Sequence, residues 1–117
     1  MGYIRHHAII VTSWSDKHIE HAYSQAVEIF GEAVSPIVNS KHNDYGSFFI
    51  APDGSKEGWE ESDEGDDLRE RFVEWLNHHR YDDGSSPFDW AEIQYGDDDK
   101  QTLVCRHSDE KLNREDA

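Results

Sequence analysis

Cysteine occurs once in this chain, at position 105, so no disulfide can form within it, and a single thiol fits a reducing cytoplasm. Bases are scarce. Eleven Lys and Arg stand against 26 Asp and Glu, a formal net charge of −15 with the eight His neutral. Nucleic-acid-binding domains need positive surface to displace counterions from phosphates, so this balance argues against direct DNA or RNA binding. An anionic membrane surface would repel the chain for the same reason. No apolar run approaches the roughly 20 residues that span a bilayer, and the N-terminus has no apolar stretch of the signal-peptide kind. The expectation is a cytoplasmic domain with no membrane segment.

The common vocabulary of catalysis is missing as well. There is no G-x-S-x-G elbow, Walker loop or G-x-G-x-x-G. His18-Ile19-Glu20 has no P-C-x-x-C after it, which a zinc deaminase requires, and paired H-x-[ST] phosphoesterase motifs are absent. No Cys pair or H-E-x-x-H offers zinc its three or four converging ligands. Neither residues 63–67 nor Asp97-Asp98-Asp99 follow the spacing of a calcium loop. Cys105, beside Val104 in an expected strand, reads as a structural thiol. These absences predict a protein that is not an enzyme, with no metal site and no cofactor.

A mean hydropathy of −0.93 combined with high charge leans towards disorder. Four Trp, five Tyr and five Phe pull the other way, since each buries about 150–250 Å² and a modest set organises a small core. At 117 residues the chain suits one domain. We expect residues 1–107 to fold compactly and residues 108–117, almost all polar, to form a frayed, charged tail.

Residues 3–14 read as a strand around the apolar run Ala8-Ile9-Ile10-Val11. Ser13 and Ser15 supply helix-entry chemistry, and Ile19, Ala22, Tyr23, Ala26, Ile29, Phe30 and Ala33 follow the 3–4 spacing of an amphipathic helix that Gly31 ends or weakens. Strands are expected over 34–38 and 46–51 around the polar turn 39–44, then a turn at Pro52-Asp53-Gly54. A second helix is expected after Ser62, with Leu68, Phe72, Trp75, Leu76 and His79 on one face. Asp and Glu stand at its positive dipole end, and His78, His79 and Arg80 at its negative end. A hairpin over 88–95 and 101–106 closes the pattern β-α-β-β-α-β-β. This is the order of a split βαβ unit with one extra strand. It predicts an α+β, ferredoxin-like sandwich, an antiparallel sheet with both helices on one face.

Acidic clusters dominate the functional reading. Glu57, Glu60, Glu61, Asp63, Glu64, Asp66 and Asp67 crowd into eleven residues that also contain Trp59, while Asp97, Asp98 and Asp99 fill the last turn and Asp82 and Asp83 the loop before it. Crowded carboxylates repel unless a cation or a basic partner compensates. Three readings stay open. The clusters serve solubility and the helix dipole, or they dock on a basic groove with Trp59 as an aromatic anchor, or they bind divalent cations weakly and without a dedicated site. A separate possibility places Arg5, His6 and His7 around a pocket, with Trp14 at the far end of the strand, for an anionic or nucleotide-like ligand. His18 and His21 read as solvent-facing, and His78 and His79 as helix C-terminal residues.

Residues 5–14 (RHHAIIVTSW), 47–59 (SFFIAPDGSKEGW) and 89–97 (DWAEIQYGD) resemble those of small acidic accessory proteins encoded by tailed bacteriophages. The likeness covers most of the chain to about Arg106 and carries no activity or catalytic residue with it. It implies a host-takeover or counter-defence setting in which a small acidic protein occupies the functional surface of a larger one. The resulting expectation is a non-enzymatic inhibitor of a basic bacterial nucleic-acid-binding or defence protein, acting by nucleic-acid mimicry. The alternative is a module that sequesters a nucleotide-like immune signal, in which case a homo-oligomer is expected.

Overall fold

The computed structural model describes residues 4–56, 58–81, 85–96 and 102–108. Its elements in chain order are β1 (His6–Ser13), α1 (Asp16–Phe30), a 3₁₀ turn (Gly31–Ala33), β2 (Val38–Asn39), β3 (Gly46–Ile50), α2 (Glu60–His78), β4 (Asp89–Tyr95) and β5 (Leu103–His107). The fold is α+β, with two helices on an open five-stranded sheet of order β2-β3-β1-β4-β5 in which every neighbouring pair is antiparallel.

Strand β1 is central because its apolar run is long enough to be paired on both edges. Ile10 stands between Phe49 of β3 and Ala91 of β4. Side chains alternate across a strand, so Ile9 and Val11 enter the core with Phe48, Ile50 and Trp90, while Ile10 and Phe49 turn to the other side. Both helices supply that one core: Ile19, Ala22 and Ala26 from α1, and Phe72, Val73 and Leu76 from α2. Phe30 and Phe72 meet edge to face at 5.9 Å, a favoured aromatic geometry. The buried Ser13 hydroxyl donates to the Pro87 carbonyl at 2.7 Å and fastens the end of β1 to the entry of β4.

Local chemistry sets most boundaries. The Ser15 hydroxyl accepts from the His18 N–H and caps α1, and Gly31, at φ 63°, ends it in a conformation that costs glycine little. Asn43 and Asp44 take the positive φ of the 39–44 turn, the residue types most tolerant of it after glycine. Two expectations change. The strand expected over 34–38 contracts to Val38–Asn39 plus a lone bridge between Val34 and Ile50. There the Ser35 hydroxyl accepts from the Phe49 N–H at 2.9 Å, and Pro36 has no N–H to offer a ladder. Helix α2 starts at Glu60, before Ser62, because the Trp59 carbonyl already accepts from the N–H groups of Ser62 and Asp63. Of the tail expected over 108–117, Ser108 is instead tied down, its N–H donating to the Trp90 carbonyl at 2.9 Å and its carbonyl accepting from Arg80 at 3.0 Å, while residues 109–117 lie outside the described residues.

Candidate functional site

Along α2 the buried positions are Ser62, Gly65, Arg69, Phe72, Val73 and Leu76, a 3–4 spacing that turns the remaining faces outward. Glu60, Glu61, Asp63, Glu64, Asp66 and Asp67 are therefore all exposed. These six carboxylates occupy eight residues, about 12 Å of helix axis, or one charge per ~2 Å. Duplex DNA carries one per roughly 1.7 Å. They also stand at the positive end of the helix dipole, which lowers the cost of crowding them. Trp59, 47% exposed, precedes the first turn with the Lys56 ammonium 5.7 Å from its ring centroid. Glu57, Asp97, Asp98 and Asp99, and with them Asp82 and Asp83, lie outside the described residues.

The carboxylates of α2 are not equivalent. Asp66 pairs with Arg69, whose side chain is buried and turns inward, and Glu70 pairs with Arg106 of β5. Both guanidinium groups converge on Glu92 of β4, a residue only 4% exposed. The Arg106 Nε donates to Glu92 at 2.6 Å, and the Arg69 Nε lies 3.6 Å from the other carboxylate oxygen. Charges thus alternate through Asp66, Arg69, Glu92, Arg106 and Glu70. The chain joins α2, β4 and β5. Hydrogen bonding to Glu92 raises the Arg106 pKa against the opposing effect of burial, so this cation stays charged. Among the described residues no ion pair engages Glu60, Glu61, Asp63, Glu64 or Asp67. These five are the free acidic face.

Beside Arg69 lies a hollow of about 110 Å³, lined by His7, Ile9, Phe30, Ile50, Asp53 and Gly65 among others. Gly65 leaves room there, because a Cβ on it would stand 2.6 Å from the Asp53 Oδ2 and push that carboxylate aside. Burial tends to raise the Asp53 pKa, but the Ser55 N–H and hydroxyl, with the charges of Arg69 and His7, outweigh it and hold the carboxyl below its ordinary value. Of the residues expected around a ligand pocket, His7 lines this hollow and Arg5 precedes β1 at the same end. His6 faces the opposite side of the sheet against Tyr95, at 5.4 Å. Trp14 is exposed at the other end of β1, edge-on to His18 at 6.1 Å. The four do not share one cavity.

The other candidates resolve into packing. His18 is half-buried, with its ring edge-on to Phe88 at 6.0 Å, so it is less solvent-facing than its helix position suggested. His21 is exposed and abuts Trp75 and His79. His78 and His79 each point Nδ1 at a carbonyl one turn back, Glu74 and Trp75, so each Nδ1–H donates to the helix C-terminus. Cys105 is exposed, and burial of its sulfur together with the charge of Glu92 raises its pKa, which favours the unreactive thiol. Among the described residues no three His, Cys, Asp or Glu side chains converge as metal ligands. No helix among them is long and apolar enough to cross a membrane.

The charge chain escaped the sequence reading, although its signals were present. Arg69 shares the 3–4 spacing of Phe72, Val73 and Leu76, and Glu92 alternates with Trp90 on the inward side of its strand. A charge at an inward position of both patterns is a pair waiting to be matched. Compared with known protein families, curated proteins and solved structures, the chain matches none.

Proposed function

We propose that this protein is a non-enzymatic, phage-type inhibitor that binds a basic bacterial nucleic-acid-binding or defence protein and occupies its groove with the free acidic face of α2. The observation that carries the reading is the charge density of that face, five unpaired carboxylates over about 12 Å or one per ~2.4 Å against roughly 1.7 Å in duplex DNA, on a helix whose inward Arg69 leaves the outer surface of the first two turns without a base. Solubility alone requires no such density on one rigid element. Trp59 beside the first turn offers an amphipathic anchor of the kind that dominates interfaces. The alternative, sequestration of a nucleotide-like signal, has less support. The hollow beside Arg69 holds about 110 Å³, whereas small-molecule sites run to about 300–1,000 Å³.

The test is capture of a basic partner from nuclease-treated bacterial lysate, followed by binding assays across a salt series. Affinity is expected to fall steeply with salt, as phosphate-like contacts do. The combined reversal of Glu60, Glu61, Glu64 and Asp67 to Lys is expected to weaken binding at least 100-fold, by analogy with desolvated charge pairs. Inhibition that survives those reversals in a folded protein would refute the reading. Asp66 is left out of the set because its reversal would attack Arg69 and the fold.

A further inference from the structure

We propose that the open face of the sheet, opposite the helices, binds the open face of a second copy, giving a symmetric dimer with both acidic α2 surfaces pointing outward. This inference does not rest on the inhibitor reading.

Charge is the first argument. On the open face, among the described residues of the strands, Asp89 is the one carboxylate, with His6, Tyr95 and His107 beside it as titratable groups and no Lys or Arg. A net charge of −15 forbids most ways of bringing two copies together, since acidic surfaces would oppose. Packed through the open faces, the two sheets lie about 10 Å apart, and each helix layer adds a further ~10 Å. The two α2 faces then stand about 30 Å apart, well over the ~8 Å Debye length at physiological salt.

Shape is the second. Ile10, Phe49, Val38 and Val104 are 42%, 36%, 65% and 58% exposed on this face. Phe49, Ile10 and Ala91 form one row across β3, β1 and β4, large on one side of Ile10 and small on the other. Next to Ala91 lies a shallow hollow of about 360 Å³ lined by Ile10, Asp89, Trp90, Ala91, His107 and Ser108. A two-fold axis along β1 exchanges the positions of β3 and β4. It seats Phe49 of each copy over the hollow beside Ala91 of the other, within the aligned geometry of packed sheets.

Area and occupant follow. The five strands run from two to eight residues and, at about 3.3 Å per residue and ~4.8 Å spacing, offer roughly 430 Å² of flat area per copy. Two copies together fall a little short of the ~1,000 Å² of a stable interface, so the dimer is expected to be micromolar or weaker. The chain's own C-terminal segment is a poor cover, since residues 108–117 contain Leu112 as their one large apolar side chain. A strongly charged foreign protein would find almost no charge here to pair with.

Sedimentation equilibrium from about 1 to 300 µM tests this, a range that brackets micromolar association. Wild type is expected to approach twice the 13.6 kDa chain mass. About 1 M salt is expected to preserve or strengthen the dimer, because it screens the net repulsion and spares apolar contact. Phe49→Glu is expected to remain monomeric throughout with an unchanged circular dichroism spectrum. Phe49→Thr, which keeps strand propensity, should weaken association at least tenfold, and Val27→Glu on the outer side of α1 should leave it intact. Wild type at 13.6 kDa over the whole range, a dimer dissolved by salt, or Phe49 variants that associate like wild type would each overturn the proposal. Loss of partner binding alone would touch only the inhibitor reading.

Discussion

Ile9 and Ile10 are identical neighbours on one strand, yet the first is fully buried and the second 42% exposed. The difference runs through the whole molecule. One side of the sheet carries two helices, a core rich in aromatics, a buried chain of alternating charges and an acidic outer surface. The other side is open, apolar and nearly free of charge. The covered side is held by burial and the open side contributes little to the fold of one copy. Surface that stability does not need is available for contact, and we propose different partners for the two sides: a basic groove for α2 and a like apolar face for the sheet.

Two phenylalanines break or sharpen this contrast most directly. Phe72→Ala on the covered side should cost about 3–5 kcal/mol, the usual cost of emptying a fully buried aromatic site. Phe49→Ala on the open side, measured by urea unfolding at concentrations where the chain is monomeric, should cost less than ~1 kcal/mol. Comparable losses would mean that the open face is structural.

The charge chain comes next. Arg69→Ala leaves buried Glu92 with its closer cation Arg106 and exposed Asp66 with none, and should cost about 2 kcal/mol, from one lost contact to a buried carboxylate and the packing of a buried side chain. Arg71→Ala, one residue on and exposed, should change stability by under ~0.5 kcal/mol. Equal effects would show that the inward turn of Arg69 is not what matters.

Gly65→Ala weighs two small effects. Alanine favours a helix interior by about 1 kcal/mol, whereas the new Cβ displaces the Asp53 carboxylate, a movable group at the edge of the hollow. Chemical denaturation should move by no more than ~1 kcal/mol, and the Asp53 pKa, followed by NMR, should rise towards its ordinary 3.8.

The smallest effect is on acid stability. The folded-state pKa of Asp53 is lowered, so its contribution is present above the ordinary carboxylate value of 3.8 and is lost as pH falls through the lower folded value. Asp53→Asn should therefore flatten the loss of stability below that point and change the neutral-pH slope little. An unaltered acid limb would remove Asp53 from the linkage.

Much of the architecture was legible in local pattern. The 3–4 stripe of α1, the Ser15 cap, the Gly31 stop and the turn over 39–44 each follow from neighbouring residues, so reading along the chain finds them. The start of α2 and the extent of β2 did not, because a main-chain carbonyl at Trp59 and the Ser35 hydroxyl substituted for the expected chemistry. In the candidate site the acidic crowding of α2 was visible, but its division into structural and free carboxylates was not. That division depends on Arg69, which turns inward towards Glu92, 23 positions away, and takes Asp66 as its partner.

Composition and order alone determined a strongly acidic chain, a single small core and an alternation of strands and helices, because charge balance and periodicity are properties of the chain read residue by residue. Tertiary structure alone decided that Arg69 turns inward, that Glu92 is buried between two guanidinium groups and that Ile10 and Phe49 face outward together. Those outcomes depend on which strand lies beside which, and pairing brings together groups whose separation along the chain carries no trace of their contact.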